Sequence, residues 1–154
     1  MKRYGAPMSD TIPTDAVVTA WARLMRAQRL ALQNVEADLK SAGLPPLGWY
    51  DALLELKRAG DGGLRPVELE GRLLLAQHNV SRLIDRLEAG GHVERRPCDD
   101  DGRGQMVVIS RQGLELLKRM WPIYRAAIQR HVGSKLESDV DAAKLAALLD
   151  SLAR

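Results

Sequence analysis

The sequence predicts a mainly α-helical domain with one small β-hairpin in its second half. Apolar residues recur at intervals of three and four near both ends of the chain, which is the period of an α-helix. That period gives way to short runs rich in β-branched residues only at residues 92–96 and 105–110. Aromatic residues are 4% of the 154 residues and phenylalanine is absent, so leucine, valine and alanine must fill the core.

Residues 1–13 contain two prolines and a glycine and are predicted to form a flexible N-terminal tail. Thr14 or Asp15 can cap a first helix that ends near Gly43. The apolar residues of this helix follow a heptad-like spacing: Val18, Trp21, Met25, Leu32, Val35 and Leu39. A seam of this kind needs a partner helix, either from the same chain or from a second subunit.

Three helices are predicted in the middle of the chain, at residues 47–59, 66–74 and 76–89. Pro45 and Pro46 precede the first of them, and Gly90 and Gly91 follow the last, as is usual at helix boundaries. The two strands of the hairpin come next, joined by a loop that contains two glycines and a proline. We interpret residues 47–110 as one lobe.

Two further helices are predicted at residues 111–131 and 138–152, the first with Pro122 inside it. The first has an apolar stripe at the helical period, formed by Leu114, Leu117, Trp121, Tyr124 and Ile128, and the second carries Leu145, Leu148, Leu149 and Leu152. The terminal segments 14–43 and 111–154 are therefore interpreted as dimerisation helices that flank the lobe, within a single domain of residues 14–154.

A helix pair followed by a hairpin is the winged helix-turn-helix arrangement, in which the second helix enters the major groove of DNA and the hairpin forms a wing. Two such lobes in a homodimer match a palindromic site in double-stranded DNA. The outward face of the helix at 76–89 carries polar side chains: Gln77, His78, Ser81, Arg82, Asp85 and Arg86. They can hydrogen-bond to bases, although a merely solvated helix face is the alternative.

The loop of the hairpin places Arg103 between two glycines. A guanidinium group there can enter the minor groove of DNA, where the negative potential is strong. Asp101 can orient this side chain by a charge-assisted hydrogen bond. A flexible polar loop is the alternative interpretation.

Three stretches of this sequence together resemble the MarR family of bacterial transcriptional regulators: LIDRLEAGGHVERRP (83–97), DGR (101–103) and VVIS with RQGLELL (107–117). The resemblance implies a dimer with winged helix-turn-helix lobes and helical termini. It also implies roles for single residues. Five of them would face the major groove: Gln77, His78, Asn79, Ser81 and Arg82. Arg103 would serve the minor groove with Asp101 steadying it, and Arg65 would meet a phosphate. Ala76 departs from the family, which usually has serine or threonine there as the helix cap.

Members of this family often respond to small molecules such as aromatic acids. Trp21, Trp49 and Tyr50 are the candidate ligand-binding residues, in a cleft between the dimerisation helices and the lobe. Ordinary core packing is the alternative for these aromatic residues. The predicted function is that of a transcriptional repressor whose DNA affinity changes with a small-molecule ligand.

Other functions find less support. No phosphate-binding glycine loop, nucleophile elbow or catalytic carboxylate pair is present, so we predict neither an enzyme nor a cofactor. No metal site is expected, because His78, His92 and His131 are widely spaced. Cys98, the single cysteine, lies beside three aspartates and is interpreted as an exposed thiol without a redox role.

A cytoplasmic protein that contacts no membrane is predicted, because the sequence lacks both a signal-peptide core and an apolar run of about 18 residues. The net charge of +3 does not by itself establish nucleic-acid binding. A winged-helix scaffold for protein–protein contacts, without DNA binding, therefore remains the alternative function.

Overall fold

The computed structural model describes residues 11–98 and 104–154 of the chain. Its elements, in chain order, are α1 (Asp15–Ser41), α2 (Leu47–Ala59), α3 (Pro66–Arg72), α4 (Val80–Ala89), β1 (Val93–Pro97), β2 (Gln105–Ile109), α5 (Arg111–His131) and α6 (Asp139–Leu152). The predicted fold class, mainly helical with one β-hairpin, is confirmed.

One hydrophobic core joins α2, α3, α4 and the hairpin to the second half of α1 and to α5. Its largest fully buried side chains are Leu39, Leu53, Leu56, Leu69, Ile84, Leu87, Val93, Val107, Leu116 and Met120. Leucine dominates this set, as the absence of phenylalanine requires. The core therefore fixes α4 and the hairpin to the two long helices.

The wing contains a third backbone segment besides its two strands. β1 and β2 are antiparallel, with Val93 opposite Ile109. On the other side of β2, the Leu64 N–H donates to the Val107 carbonyl at 2.9 Å, and the Val107 N–H donates to the Leu64 carbonyl at 2.8 Å. Sequence reasoning missed this pairing, because a single bridging residue shows no periodicity.

The apolar seam of α1 divides into two halves. Val35 and Leu39 in the second half are buried against the subunit's own core. In the first half, Val18, Trp21 and Met25 are 50%, 64% and 41% exposed. Among residues 11–98 and 104–154, Trp21 is not packed into the core, which was the alternative considered above. The described part of the chain thus leaves the apolar first half of α1 largely exposed.

Helix α6 buries none of its residues against the rest of the described subunit. It faces the first half of α1 across an open groove of about 710 Å³, which we name the α1–α6 groove. Its apolar lining includes Val17, Trp21, Leu24, Leu145, Leu149 and Leu152. Contiguous exposed apolar surface of this kind marks an interaction site.

Candidate nucleic-acid interface

Helix α4 separates its apolar and polar residues onto opposite faces. Its buried residues are Val80, Leu83, Ile84 and Leu87, and they hold it against the core. Ser81, Arg82 and Arg86 are exposed on the other side. Within residues 11–98 and 104–154, neither the Arg82 nor the Arg86 guanidinium group forms an ion pair. These groups offer positive charge and hydrogen-bond donors to a partner such as DNA.

Helix α4 begins later than predicted. The prediction started it at Ala76, whereas the structure starts it at Val80. Asn79 has an extended backbone, and its side-chain oxygen accepts a hydrogen bond from the Arg82 N–H at 2.9 Å. Asparagine is a good N-cap and alanine is a poor one, so the helix starts after Asn79. Gln77, which was expected in the first turn, lies before the helix.

Gln77 is half-buried, and its amide group lies against α2. A Cβ atom at Gly48 would come within 2.6 Å of its Nε2 atom, so only glycine leaves this space open to the amide. His78 and Asn79 are exposed. The base contact expected of Gln77 remains a prediction. In the structure its side chain packs against Gly48 of α2.

Arg65 connects the start of α3 to the base of the wing. Its guanidinium group donates to the Cys98 Sγ atom at 3.3 Å, and its backbone N–H donates to Glu68 at 3.4 Å. Cys98 is buried, so the expectation of an exposed thiol is wrong: the end of β1 packs inward. The phosphate contact predicted for Arg65 remains a prediction. Asp101 and Arg103 lie outside the described residues.

Arg95 on β1 bridges the wing and α4. Its guanidinium group contacts Asp85 at 2.5 Å and Glu88 at 2.7 Å, and its side chain is only 22% exposed. The hydrogen bond to Asp85 is the main reason why the pKa of Arg95 is raised. Asp85 therefore pairs with the wing. Sequence reasoning did not single out Arg95, although two carboxylates three residues apart followed by an arginine-bearing strand are a usable signal.

Arg95→Met should lower the free energy of unfolding by about 1 kcal/mol, because two charge-assisted hydrogen bonds are lost while the aliphatic stem is kept. Urea unfolding followed by circular dichroism measures this change. Arg96→Met is the matched control: the Arg96 contact to Glu94 is 3.4 Å long, and both side chains are more than half exposed. Equal destabilisation by the two substitutions would contradict the bridge.

The three candidate ligand-binding residues lie in different surroundings. Trp21 lines the α1–α6 groove, whereas the Trp49 ring meets His92 edge-on, with 5.7 Å between ring centroids. Tyr50 is buried against α5, where it stacks on Trp121 and contacts Tyr124, with centroids 6.2 and 5.1 Å away. In these contacts the three predicted residues do not line one common cleft.

We name Tyr50, Trp121 and Tyr124 the aromatic cluster; they join α2 to α5. Burial raises the pKa of Tyr50, and the Arg58 charge opposes this to a smaller degree. Burial is also the main reason for the raised pKa of Tyr124. Both phenols therefore remain protonated at physiological pH. Sequence reasoning assigned Trp121 and Tyr124 only to a helical apolar stripe and so missed the cluster.

Two negative findings apply to residues 11–98 and 104–154. No three histidine, cysteine, aspartate or glutamate side chains there lie close enough together to hold a metal ion. None of the helices there has the length and apolar character needed to cross a membrane.

Comparison with known proteins gives a consistent result. A sequence profile of the MarR family matches residues 42–104, which include α2, α3, α4 and β1. The transcriptional repressor MprA of Escherichia coli (strain K12) is 31% identical over 123 residues, which are 79% of this chain and 68% of that protein.

Solved structures agree over most of the chain. AbsC, a MarR family transcriptional regulator from Streptomyces coelicolor, superposes with a TM-score of 0.77 at 28% identity, covering 92% of this chain and 95% of that one. Another MarR family regulator from the same organism, solved in complex with DNA, gives a TM-score of 0.79 at 25% identity, covering 92% of each chain. This protein therefore belongs to the MarR family of transcriptional regulators.

Proposed function

We propose that this protein is a homodimeric transcriptional repressor that binds a palindromic site in double-stranded DNA. The outward face of α4 is the observation that carries this proposal, because Arg82 and Arg86 present positive charge there that forms no ion pair among the described residues, on a helix packed against the core. The DNA complex of a relative with the same fold supports it. As a DNA-binding regulator of a bacterial family, the protein would act in the cytoplasm.

The exposed apolar surfaces support a dimer. Among the described residues, the first half of α1 is largely exposed and α6 buries none of its residues, and both helices lie outside the lobe that carries α4. A two-fold axis through these helices would bury them and would present two α4 helices to one duplex. Half-sites of the DNA would then be repeated with opposite orientation.

We propose further that a small molecule, such as an aromatic acid, modulates DNA binding. Trp21, Trp49 and Tyr50 remain the proposed ligand contacts, and the aromatic cluster adds Trp121 and Tyr124. Such a ligand changes DNA affinity only by as much as its own affinity differs between two arrangements of the lobes. The contact between α2 and α5 suits this role, since the aromatic cluster there joins the lobe to a long helix.

The test is a binding titration of the purified protein with the duplex that flanks its own gene, at four or five salt concentrations. We expect the logarithm of the affinity to fall linearly with the logarithm of the salt concentration, because each phosphate contact releases a counterion. A random duplex should bind more weakly. If neither duplex binds at low salt, the protein–protein scaffold replaces this proposal.

A further inference from the structure

Asp51 on α2 is the buried charged residue of the described subunit, with 7% of its surface exposed. Its two carboxylate oxygens accept hydrogen bonds from consecutive backbone N–H groups. The Leu74 N–H donates at 3.1 Å to Oδ1, and the Leu75 N–H donates at 2.8 Å to Oδ2. We name this pair of bonds the Asp51 clamp. Its acceptor lies on α2, and its donors lie in the turn between α3 and α4.

The clamp provides hydrogen-bond partners both for the backbone N–H groups of the turn and for the buried carboxylate. Helix α3 ends at Arg72, and the Leu73 N–H still donates to the Leu69 carbonyl. The Leu74 and Leu75 N–H groups, in contrast, lie beyond the helix and need other acceptors. A buried carboxylate is unfavourable unless hydrogen bonds compensate for its lost hydration. Bonds from N–H groups to an ionised oxygen are among the stronger hydrogen bonds in proteins. The turn is therefore held firmly to α2.

The turn touches α2 at a second point on the same helical face. Gly48 lies one helical turn before Asp51, and the Gln77 amide lies directly against it. The turn that leads into α4 is thus fixed at Leu74, Leu75 and Gln77. The Asp51 charge also contributes, after burial, to the raised pKa of Tyr124 in the aromatic cluster.

We propose that Asp51 is a positioning residue for DNA recognition: its carboxylate holds the turn before α4 and so sets the direction in which Arg82 and Arg86 point. Asp51 is buried and does not touch DNA. The inference rests on the proposed function, since it concerns how the reading surface is oriented. A small error in the direction of α4 would displace every side chain on its outward face together.

The test compares Asp51→Asn with wild type. An amide has one oxygen, so one of the two bonds is lost and an NH₂ group faces a backbone donor instead. DNA affinity should fall about tenfold in the variant while it remains a folded dimer. Hydrogen exchange at the Leu74 and Leu75 amides, followed by NMR, should become about tenfold faster, whereas exchange at Leu83 inside α4 should change little.

Glu36→Gln is the matched control. The Glu36 Oε1 atom accepts a hydrogen bond from the Leu47 N–H at 3.0 Å, at the start of α2, so the same carboxylate-to-amide change is made away from the turn. DNA affinity should stay within about twofold of wild type. Equal losses of DNA affinity in the two variants would overturn the positioning role, as would wild-type affinity in Asp51→Asn.

Two outcomes separate this inference from the proposed function. Failure of the wild-type protein to bind any duplex rejects the proposed function, whatever the state of the clamp. If Asp51→Asn does not fold, exchange in the wild-type protein decides: the Leu74 and Leu75 amides should be protected about a hundredfold or more relative to an unstructured chain. Unprotected amides at both positions would overturn the inference.

Discussion

Leu149→Asp is expected to convert the dimer into monomers and to abolish DNA binding at concentrations where the wild-type protein binds. Leu149 lines the α1–α6 groove. A carboxylate moved into an apolar interface costs several kcal/mol, and a two-fold interface contains the substitution twice. Since α6 buries no residue against its own subunit, the monomer should keep its helical circular dichroism.

Ser151→Asp provides the control on the same helix. Ser151 is exposed and does not line the groove. The substitution therefore adds the same charge to α6 outside the apolar surface. Sedimentation equilibrium should give two chains per particle for the control and one for Leu149→Asp. A dimeric Leu149→Asp variant with wild-type DNA affinity would contradict the assignment of this groove to the subunit interface.

Arg82→Ala should reduce affinity for the cognate duplex by about 30-fold or more. A bidentate arginine–guanine contact contributes about 1–3 kcal/mol, and each half of a palindrome contains one copy. Stability should change little, because the exposed Arg82 side chain has no ion pair in the described subunit, and alanine keeps the backbone N–H that Asn79 caps. Fluorescence anisotropy with a labelled duplex measures the loss.

The salt dependence identifies what Arg82 contacts. A phosphate contact predicts equal losses on cognate and random duplexes and a shallower salt slope, whereas a base contact predicts a loss mainly on the cognate duplex. Arg154→Ala is the control: it removes the same charge near the C-terminus, where Arg154 pairs with Asp150 at 2.9 Å. Unchanged affinity in Arg82→Ala would favour the scaffold function.

Local sequence signals were sufficient for most of the fold. The predicted bounds of α2 and α5 agree with the structure, because Pro46 and Ser110 precede them and mark where the helices begin. The start of α4 was misplaced, because the apolar run at residues 73–76 marks no boundary, whereas Asn79 is the better cap. Periodicity reports which residues are apolar, and capping decides where a helix starts.

Other features depend on contacts that the sequence does not reveal. The stripe predicted on α5 includes Leu114, Trp121 and Ile128, which remain partly exposed, whereas Leu116 and Met120 are buried. Two overlapping stripes on one helix look alike in sequence, and only tertiary packing determines which of them faces the subunit's own core.

The exposed polar face of α4 was predicted in part. The outward residues of α4 follow from helical geometry alone, so Ser81 and Arg82 could be named in advance. Asp51 could not, because its partners are backbone N–H groups on another element. Arg95 was not named either, although the spacing of Asp85 and Glu88 was a usable signal for it. Pairings of this kind arise only when the chain is folded, whereas a helical face is already present in the spacing of residues.

The division of α1 has a mechanical consequence. Its 27 residues form one continuous helix about 40 Å long, with one half in the subunit core and the other at the proposed interface. A tilt of about 5° at the interface end would move the far end by about 3 Å, roughly the rise of one base pair. The angle between the α1 helices of the two subunits would therefore set the distance between DNA half-sites that the two lobes can contact together.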